Sequence, residues 1–157
     1  MCGINGIVSK NPNSNLELRI RKMNSLLSHR GPDDKGLYYD GENVVFGMQR
    51  LSIIDLQNGK QPIRSNDGTF VIVFNGEIYN YKEIKRRLFN ENVLFKTKSD
   101  TEVILHLFEK FGTEGINELN GMFAFSIHDR LKREILIARD RFGEKPLYYT
   151  KLGDEII

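Results

Sequence analysis

Cys2 is the one cysteine of the chain and stands directly behind Met1. Removal of Met1, which a side chain as small as that of Cys permits, would leave a thiol and a free α-amine on one residue. The thiolate is the attacking form of a cysteine, and a free thiol has a pKa of about 8.5. An α-amine has a pKa of about 7.7–8.0, so near neutrality a useful share is unprotonated. It can take the thiol proton, directly or through a water, and later return it to a leaving amine. A retained Met1 would turn that amine into an amide and remove the base. The competing reading of Cys2 is a small hydrophobe that only packs.

Four other groupings carry usable chemistry. Gln49-Arg50-Leu51-Ser52-Ile53-Ile54-Asp55 offers an Arg at the end of an apolar stretch. Its planar fork suits a carboxylate, although a surface salt bridge explains most arginines equally well. Phe74-Asn75-Gly76-Glu77-Ile78-Tyr79-Asn80 reads as an apolar strand followed by a turn. That turn can present an Asn amide and an approachable Gly N–H, two donors fit for an oxyanion, or it can be a plain Asn-Gly turn. Lys98-Ser99-Asp100-Thr101-Glu102 reads as a helix start. There Asp100 either meets a cationic ligand or merely offsets the helix dipole, worth about 0.3–1 kcal/mol. His29-Arg30-Gly31-Pro32-Asp33 can be no more than a polar turn.

The elements that must position these residues are mixed. Ile4, Ile7 and Val8 predict a strand from Cys2 to Val8. Ser14 with Glu17 forms a capping box, and Leu16, Ile20, Met23 and Leu27 recur at helical spacing, predicting a helix over 15–28. Strands are expected at Leu37–Tyr39, Val44–Met48, Phe70–Phe74, Met122–His128, Glu134–Arg139 and Leu147–Tyr149. Asn80 with Glu83, and Ser99 with Glu102, cap two further helices, the second with an apolar face of Val103, Ile104, Leu107, Phe108 and Phe111. Ile156-Ile157 reads as the beginning of another strand, and the chain as a piece of a longer one. Antiparallel runs with helices grouped between them, and continuous apolar strands, predict an α+β fold of two stacked sheets with helices outside.

Composition narrows the class. The chain has 157 residues, 39% hydrophobic and 28% charged, with a net charge of +2. That suits one globular domain with a real core. The charges are interspersed, which argues for neither nucleic acid nor an anionic membrane as partner. The basic stretch at 17–35 carries acidic residues too and reads as a solvated helix face. No apolar run is long enough to span a bilayer, and the start lacks a signal-peptide pattern. One cysteine makes no internal disulfide, and no Cys/His cluster has metal spacing. A reactive thiol suits a reducing cytoplasm.

Taken in order, Cys2-Gly3-Ile4, His29-Arg30-Gly31-Pro32-Asp33, Arg50-Leu51-Ser52-Ile53, Asn75-Gly76-Glu77-Ile78-Tyr79-Asn80, Ser99-Asp100-Thr101-Glu102, Gly121-Met122-Phe123-Ala124-Phe125 and Arg139-Asp140-Arg141-Phe142-Gly143 closely resemble the N-terminal glutaminase domain of glutamine-dependent asparagine synthetases. The resemblance runs from Cys2 to about Tyr149. It implies a class II amidotransferase with the N-terminal nucleophile fold, a four-layer αββα sandwich of two antiparallel sheets, over 1–157. It implies that Cys2 attacks the side-chain amide of L-glutamine and forms a thioester, with Asn75 and Gly76 as oxyanion hole. Arg50 would hold the α-carboxylate, Glu77 and Asp100 the α-ammonium, and Leu51 and Ile53 would add backbone contacts. This half-reaction needs no metal or organic cofactor. ATP and Mg2+ belong to a C-terminal ATP-pyrophosphatase (synthetase) domain, which would be the covalently linked partner. Its Ser-Gly-Gly pyrophosphate loop does not occur here, so this chain alone is not expected to make asparagine. A homodimer is compatible with the resemblance. The competing functions are an amidohydrolase of the same fold without transfer and a non-catalytic docking module.

Overall fold

The computed structural model describes residues 2–11, 15–56 and 58–157. Ser14 of the expected capping box lies outside them, as does Met1. The chain runs through β1 (Gly3–Ser9), α1 (Leu16–Leu26), β2 (Asp34–Tyr39), β3 (Val44–Arg50), β4 (Ile63–Arg64), β5 (Phe70–Ile78), α2 (Tyr81–Asn90), α3 (Asp100–Ile116), β6 (Gly121–Asp129), β7 (Glu134–Arg139), β8 (Lys151–Leu152) and β9 (Glu155–Ile156). One sheet has the order β2-β3-β1-β9-β8, the other β4-β5-β6-β7, and every pairing is antiparallel.

Side-chain parity builds the layers. In the first sheet, Ile7 and Val45 pack against Leu16 and Ile20 of α1. Their neighbours Phe46 and Met48, with Ile4 and Val8, face the other way and meet Val71 and Val73 of β5. On the far face of the second sheet, Ile72, Phe74, Phe123, Phe125 and Ile127 pack against Ile84 and Leu88 of α2 and Val103, Ile104 and Leu107 of α3. The result is α1, sheet, sheet, then α2 and α3, the expected αββα sandwich. A buried polar tie crosses the seam, with Tyr38 Oη 2.9 Å from His128 Nδ1. Burial lowers the pKa of that histidine. Among the described residues no helix is long and apolar enough to cross a membrane.

Several expectations need correction. Asn75-Gly76 is no turn: β5 continues through both, pairing them with Ala124 and Phe123. The apolar run of β6 supplies a partner along the whole length, and tertiary pairing overrides turn propensity. Asn80 does not cap α2 with its side chain. Its amide is used to tie the ends of two other segments, donating to Glu118 O and accepting from Asn120 N. Leu147–Tyr149 forms no strand, because no strand lies beside it; the next strand is β8. The first helix stops at Leu26, and a 3-10 turn takes Ser28–Arg30. Glu17 pairs with Arg21 instead of reaching back to the helix start. The cap of α3 is as expected, Ser99 accepting from Glu102 N. Gly112 interrupts that helix, and Phe111 beyond the core face is 39% exposed.

Phe125 is fully buried between the second sheet and its helices. Phe125→Ala should lower the unfolding free energy by about 3–5 kcal/mol through lost transfer energy and a cavity. Urea titration should show the midpoint falling with an unchanged slope; an unchanged midpoint would mean that the two layers do not share this core.

Candidate active site

At one end of the seam the apolar alternation gives way to polar residues. Cys2 and Arg50 extend the series Ile4–Val8 and Phe46–Met48, which face the second sheet. The register Gly3↔Gln49 sets them side by side. Asn75 and Glu77 extend the series Val71–Val73, which faces the first sheet. Strand parity therefore aims four functional side chains from two sheets into one space. The same pocket is lined by Leu51, Ile53, Gly76 and Asp100. All eight residues singled out from the sequence meet there, although Ile53 is 60% exposed at its rim.

The Cys2 thiol is held by the residue that follows Arg50. Sγ lies 3.4 Å from Leu51 N and 3.7 Å from Leu51 O. The thiol donates to the carbonyl and accepts from the N–H. Arg50 is 5% exposed, so the surface salt bridge is excluded. Its Nη2 donates to Ile54 O at 2.9 Å and Asp55 O at 2.8 Å, and Nη1 to Leu56 O at 3.4 Å. The loop after β3 thus curls around the guanidinium and fixes its plane. At Gly59 a Cβ would lie 2.6 Å from Nη2, so only glycine closes this curl.

The two donors come from the exposed edge of β5. Along an antiparallel strand, alternate N–H groups point to opposite neighbours. Ile72 pairs with Ile63 and Ser65 N donates to Phe70 O, so the even residues point toward β4, whose end on this side is Ile63. Past that end Phe74 N donates to Gln61 Oε1 at 2.7 Å, and Ile78 N to Asp100 Oδ2 at 3.2 Å. Gly76 N–H lies between them with no strand to receive it. A Cβ at Gly76 would fall 2.1 Å from Met122 O, so the close approach of β6 demands glycine. The Asn75 side chain is 5% exposed and makes no hydrogen bond to a described residue. Unsatisfied buried donors are costly. The Asn75 amide and the Gly76 N–H instead open onto the pocket, where one ligand oxygen could accept from both.

Asp100 and Glu77 make the opposite corner negative. Asp100 is 4% exposed. Burial pushes its pKa up to about 6; N–H bonds from Ile78 and Thr101 pull it down, and the Glu77 charge adds to the rise. The carboxylate of Glu77 accepts no hydrogen bond from a described residue. A cation would relieve both groups. Guanidinium at one side, two carboxylates at another, a thiol and two free donors together fit a free amino acid carrying a reactive carbonyl. Among the described residues no group of three or more His, Cys, Asp or Glu could hold a metal ion.

The whole chain, residues 1–157, matches the model of a glutamine amidotransferase domain. The chain belongs to the glutamine amidotransferase domain family. It is 45% identical to asparagine synthetase [glutamine-hydrolyzing] 1 of Bacillus subtilis, over 99% of this chain and 25% of that protein. It is 40% identical to asparagine synthetase [glutamine-hydrolyzing] 1 of Arabidopsis thaliana, over 94% of this chain and 25% of that one. The chain thus spans about a quarter of the length of these relatives, and the match is to their N-terminal domain. Among solved structures, glutamine phosphoribosylpyrophosphate amidotransferase from Bacillus subtilis, complexed with ADP and GMP, is similar at a TM-score of 0.71 and 26% identity, over 99% of this chain and 41% of that one. The allosteric regulatory enzyme of purine biosynthesis shares the fold at a TM-score of 0.76 and 24% identity, over 99% and 41%. The sandwich is therefore the N-terminal nucleophile fold.

Other sequence motifs of the amidotransferase domain buttress the site without entering it. Asp33 of His29–Asp33 accepts from Ser52 N at 2.8 Å. Gly31 lies so close to Gln49 and Arg50 that a Cβ would fall 2.4 Å from the Arg50 backbone. Asp140 accepts from Phe123, Phe142, Glu144 and Lys145 N–H groups, which outweigh its burial and lower its pKa. That network braces β6 opposite Gly76. Sequence reasoning missed Gln61 and the buried Lys145, both in the pocket lining. Their positions carry no spacing signal; only the fold brings them in.

Asp100 is also more than the helix-end charge that the sequence suggests. Its folded pKa of about 6 stands above the ordinary 3.8. Its contribution to stability is therefore full below pH 3.8 and is lost as the pH rises through 6, on the order of 3 kcal/mol. Asp100→Asn loses one acceptor at every pH but escapes this loss. The stability of the ligand-free variant relative to the parent should rise between pH 4 and pH 8. Urea titrations across that range would test it, and a difference independent of pH would mean that the carboxylate is well solvated.

Proposed function

We propose that the chain hydrolyses L-glutamine to glutamate and ammonia through a thioester on Cys2. The observation that carries this reading is the convergence of a thiol, two unpartnered donors and oppositely charged anchors in one pocket. The names of the relatives, glutamine-hydrolysing asparagine synthetases, agree with it. With Met1 removed, the α-amine of Cys2 takes the thiol proton. Sulfur attacks the side-chain carbonyl carbon, forming the C–S bond and placing negative charge on oxygen. Asn75 Nδ2 and Gly76 N–H receive that charge. The tetrahedral adduct collapses, breaking the C–N bond as the protonated α-amine gives its proton to the leaving nitrogen. Water then attacks the thioester along the same route, releasing glutamate and the thiol.

Arg50 holds the α-carboxylate, while Asp100 and Glu77 hold the α-ammonium. Leu51 serves the nucleophile itself, and Ile53 closes the rim. An amidase without an amino-acid substrate has no use for these anchors, nor does a docking module for the thiol. The ammonia feeds ATP-dependent amide synthesis, of asparagine or a related amide, in a C-terminal synthetase domain of a longer cytoplasmic protein. ATP and Mg2+ act in that domain.

Cys2→Ala should abolish glutamate release while urea unfolding stays as in the parent; activity near the parental level would end the covalent mechanism. Asn75→Ala should lower kcat by about 10²–10³-fold with a much smaller change in glutamine binding. A loss of binding with unchanged turnover would instead make Asn75 a ground-state anchor. Arg50→Lys keeps the charge and loses the fork, so it and Asp100→Asn should raise KM for glutamine and leave a simple alkyl amide almost unaffected. Parental kinetics on glutamine in both variants would remove the amino-acid anchors.

A further inference from the structure

Asp55 closes the sequence motif that begins at Gln49, and none of the roles above uses its side chain. Its backbone is left-handed, with φ of 49°, a conformation that Asp tolerates better than most residues. That conformation lets one residue face two ways. Its carbonyl oxygen accepts from Arg50 Nη2 at 2.8 Å and from Gly59 N at 2.9 Å. Its carboxylate accepts from Lys98 N at 2.7 Å through Oδ2 and from Asn58 N at 3.2 Å through Oδ1. Lys98 stands two residues before Asp100, at the mouth of α3. Among the described residues, the Asp55–Lys98 bond is the one hydrogen bond joining the loop at 51–59 to the segment at 96–100. It spans 43 residues of chain.

We infer that Asp55 is a positioning residue that sets the distance between the carboxylate anchor Arg50 and the ammonium anchor Asp100. The inference rests on the glutaminase reading and adds a specificity element to it. The α-carboxylate and α-ammonium of an amino acid sit on the same carbon, so their separation is fixed. A protein that grips both must hold its own two anchors at a matching separation. The guanidinium of Arg50, at the end of β3, is held by the carbonyls of a loop, whereas Asp100 is on a helix start capped by Ser99. Asp55 clamps the loop to that helix start by its side chain and grips the guanidinium by its main chain. Removing the side chain leaves the carbonyl contact to Arg50 and removes the hydrogen bond that ties the loop to the segment before α3. The oxyanion donors lie on β5, which this bond does not touch, and Leu51, which holds the thiol, follows directly on β3 at the fixed end of the loop. The loss therefore falls on substrate binding common to ground and transition states, raising KM and sparing kcat.

The test compares Asp55→Ala and Asp55→Asn with the parent chain. The Asn variant keeps the size and one acceptor, so it serves if the Ala variant folds poorly. Hydrolysis of L-glutamine gives kcat and KM; inhibition constants are measured for L-glutamate, which engages both anchors, and glutarate, which lacks the α-amine. In Asp55→Ala, KM for glutamine and the inhibition constant for glutamate should rise about tenfold, the loss of one hydrogen bond to a charged group. The constant for glutarate and kcat should change by less than about threefold. Adding Asp55→Ala to Asp100→Asn should change glutamine binding little, since one anchor is already gone. Equal weakening of glutamate and glutarate, or a fall in kcat matching the rise in KM, overturns the role and leaves a merely structural bond. An unchanged KM overturns it as well. A parent chain that neither hydrolyses nor binds glutamine refutes the glutaminase reading and this inference with it, whereas an active parent with unaffected variants refutes the inference alone.

Discussion

The site depends on a short length of β5 that has no neighbouring strand. β4 is two residues long and leaves β5 unpaired on that side past Ile72. An unpaired strand edge presents N–H groups that must find partners or stay wet, and proteins usually cover or blunt it. Here the covering is selective. Gln61 takes the Phe74 N–H and Asp100 takes that of Ile78. Gln61 is anchored in turn to Thr101, beside Asp100, with Nε2 3.2 Å from Thr101 Oγ1. Two side chains of one small network thus satisfy the N–H groups on either side of Gly76. Pairing the edge fully would have stabilised the sheet and left no free Gly76 N–H facing the pocket.

Much of this was legible in the residues, and the reason is parity. Period-two alternation shows which side chains of β1, β3 and β5 share a face, and the same count that makes Val71 and Val73 core residues makes Asn75 and Glu77 pocket residues. The cap at Ser99 was equally legible, because capping is local chemistry. The Asn75-Gly76 turn was misjudged for the complementary reason. Asn-Gly favours a turn in isolation, but β6 lies alongside for nine residues and the pairing decides. Asn80 failed similarly: its amide is spent on Glu118 and Asn120, long-range partners that local spacing cannot reveal. Arg50 shows a mixed case. Its chemistry was readable, but the three carbonyls that orient it come from a loop whose path no periodicity sets.

The charges follow the same division between fold and function. Asp140 and Asp100 are both buried carboxylates that accept backbone N–H groups. Four donors surround Asp140, and they outweigh burial and hold its pKa down. Asp100 has fewer donors and faces Glu77, and burial wins. Both environments place backbone amides around an acid, and the heavier desolvation of Asp100 together with its fewer donors separates it from the acid that braces the fold. An acid with enough donors is structurally complete and gains little from a ligand. An acid left short of donors, beside a second acid, is a standing cost to the empty protein. That cost is a differential interaction: it is relieved when a cation enters and returns when it leaves. Asp100, at the start of α3, lies against β5's unpaired edge, and its Oδ2 holds the Ile78 N–H two residues from Gly76. Under the proposed function, a substrate ammonium that settled the charge on Asp100 would also firm the strand that carries Asn75 and Gly76.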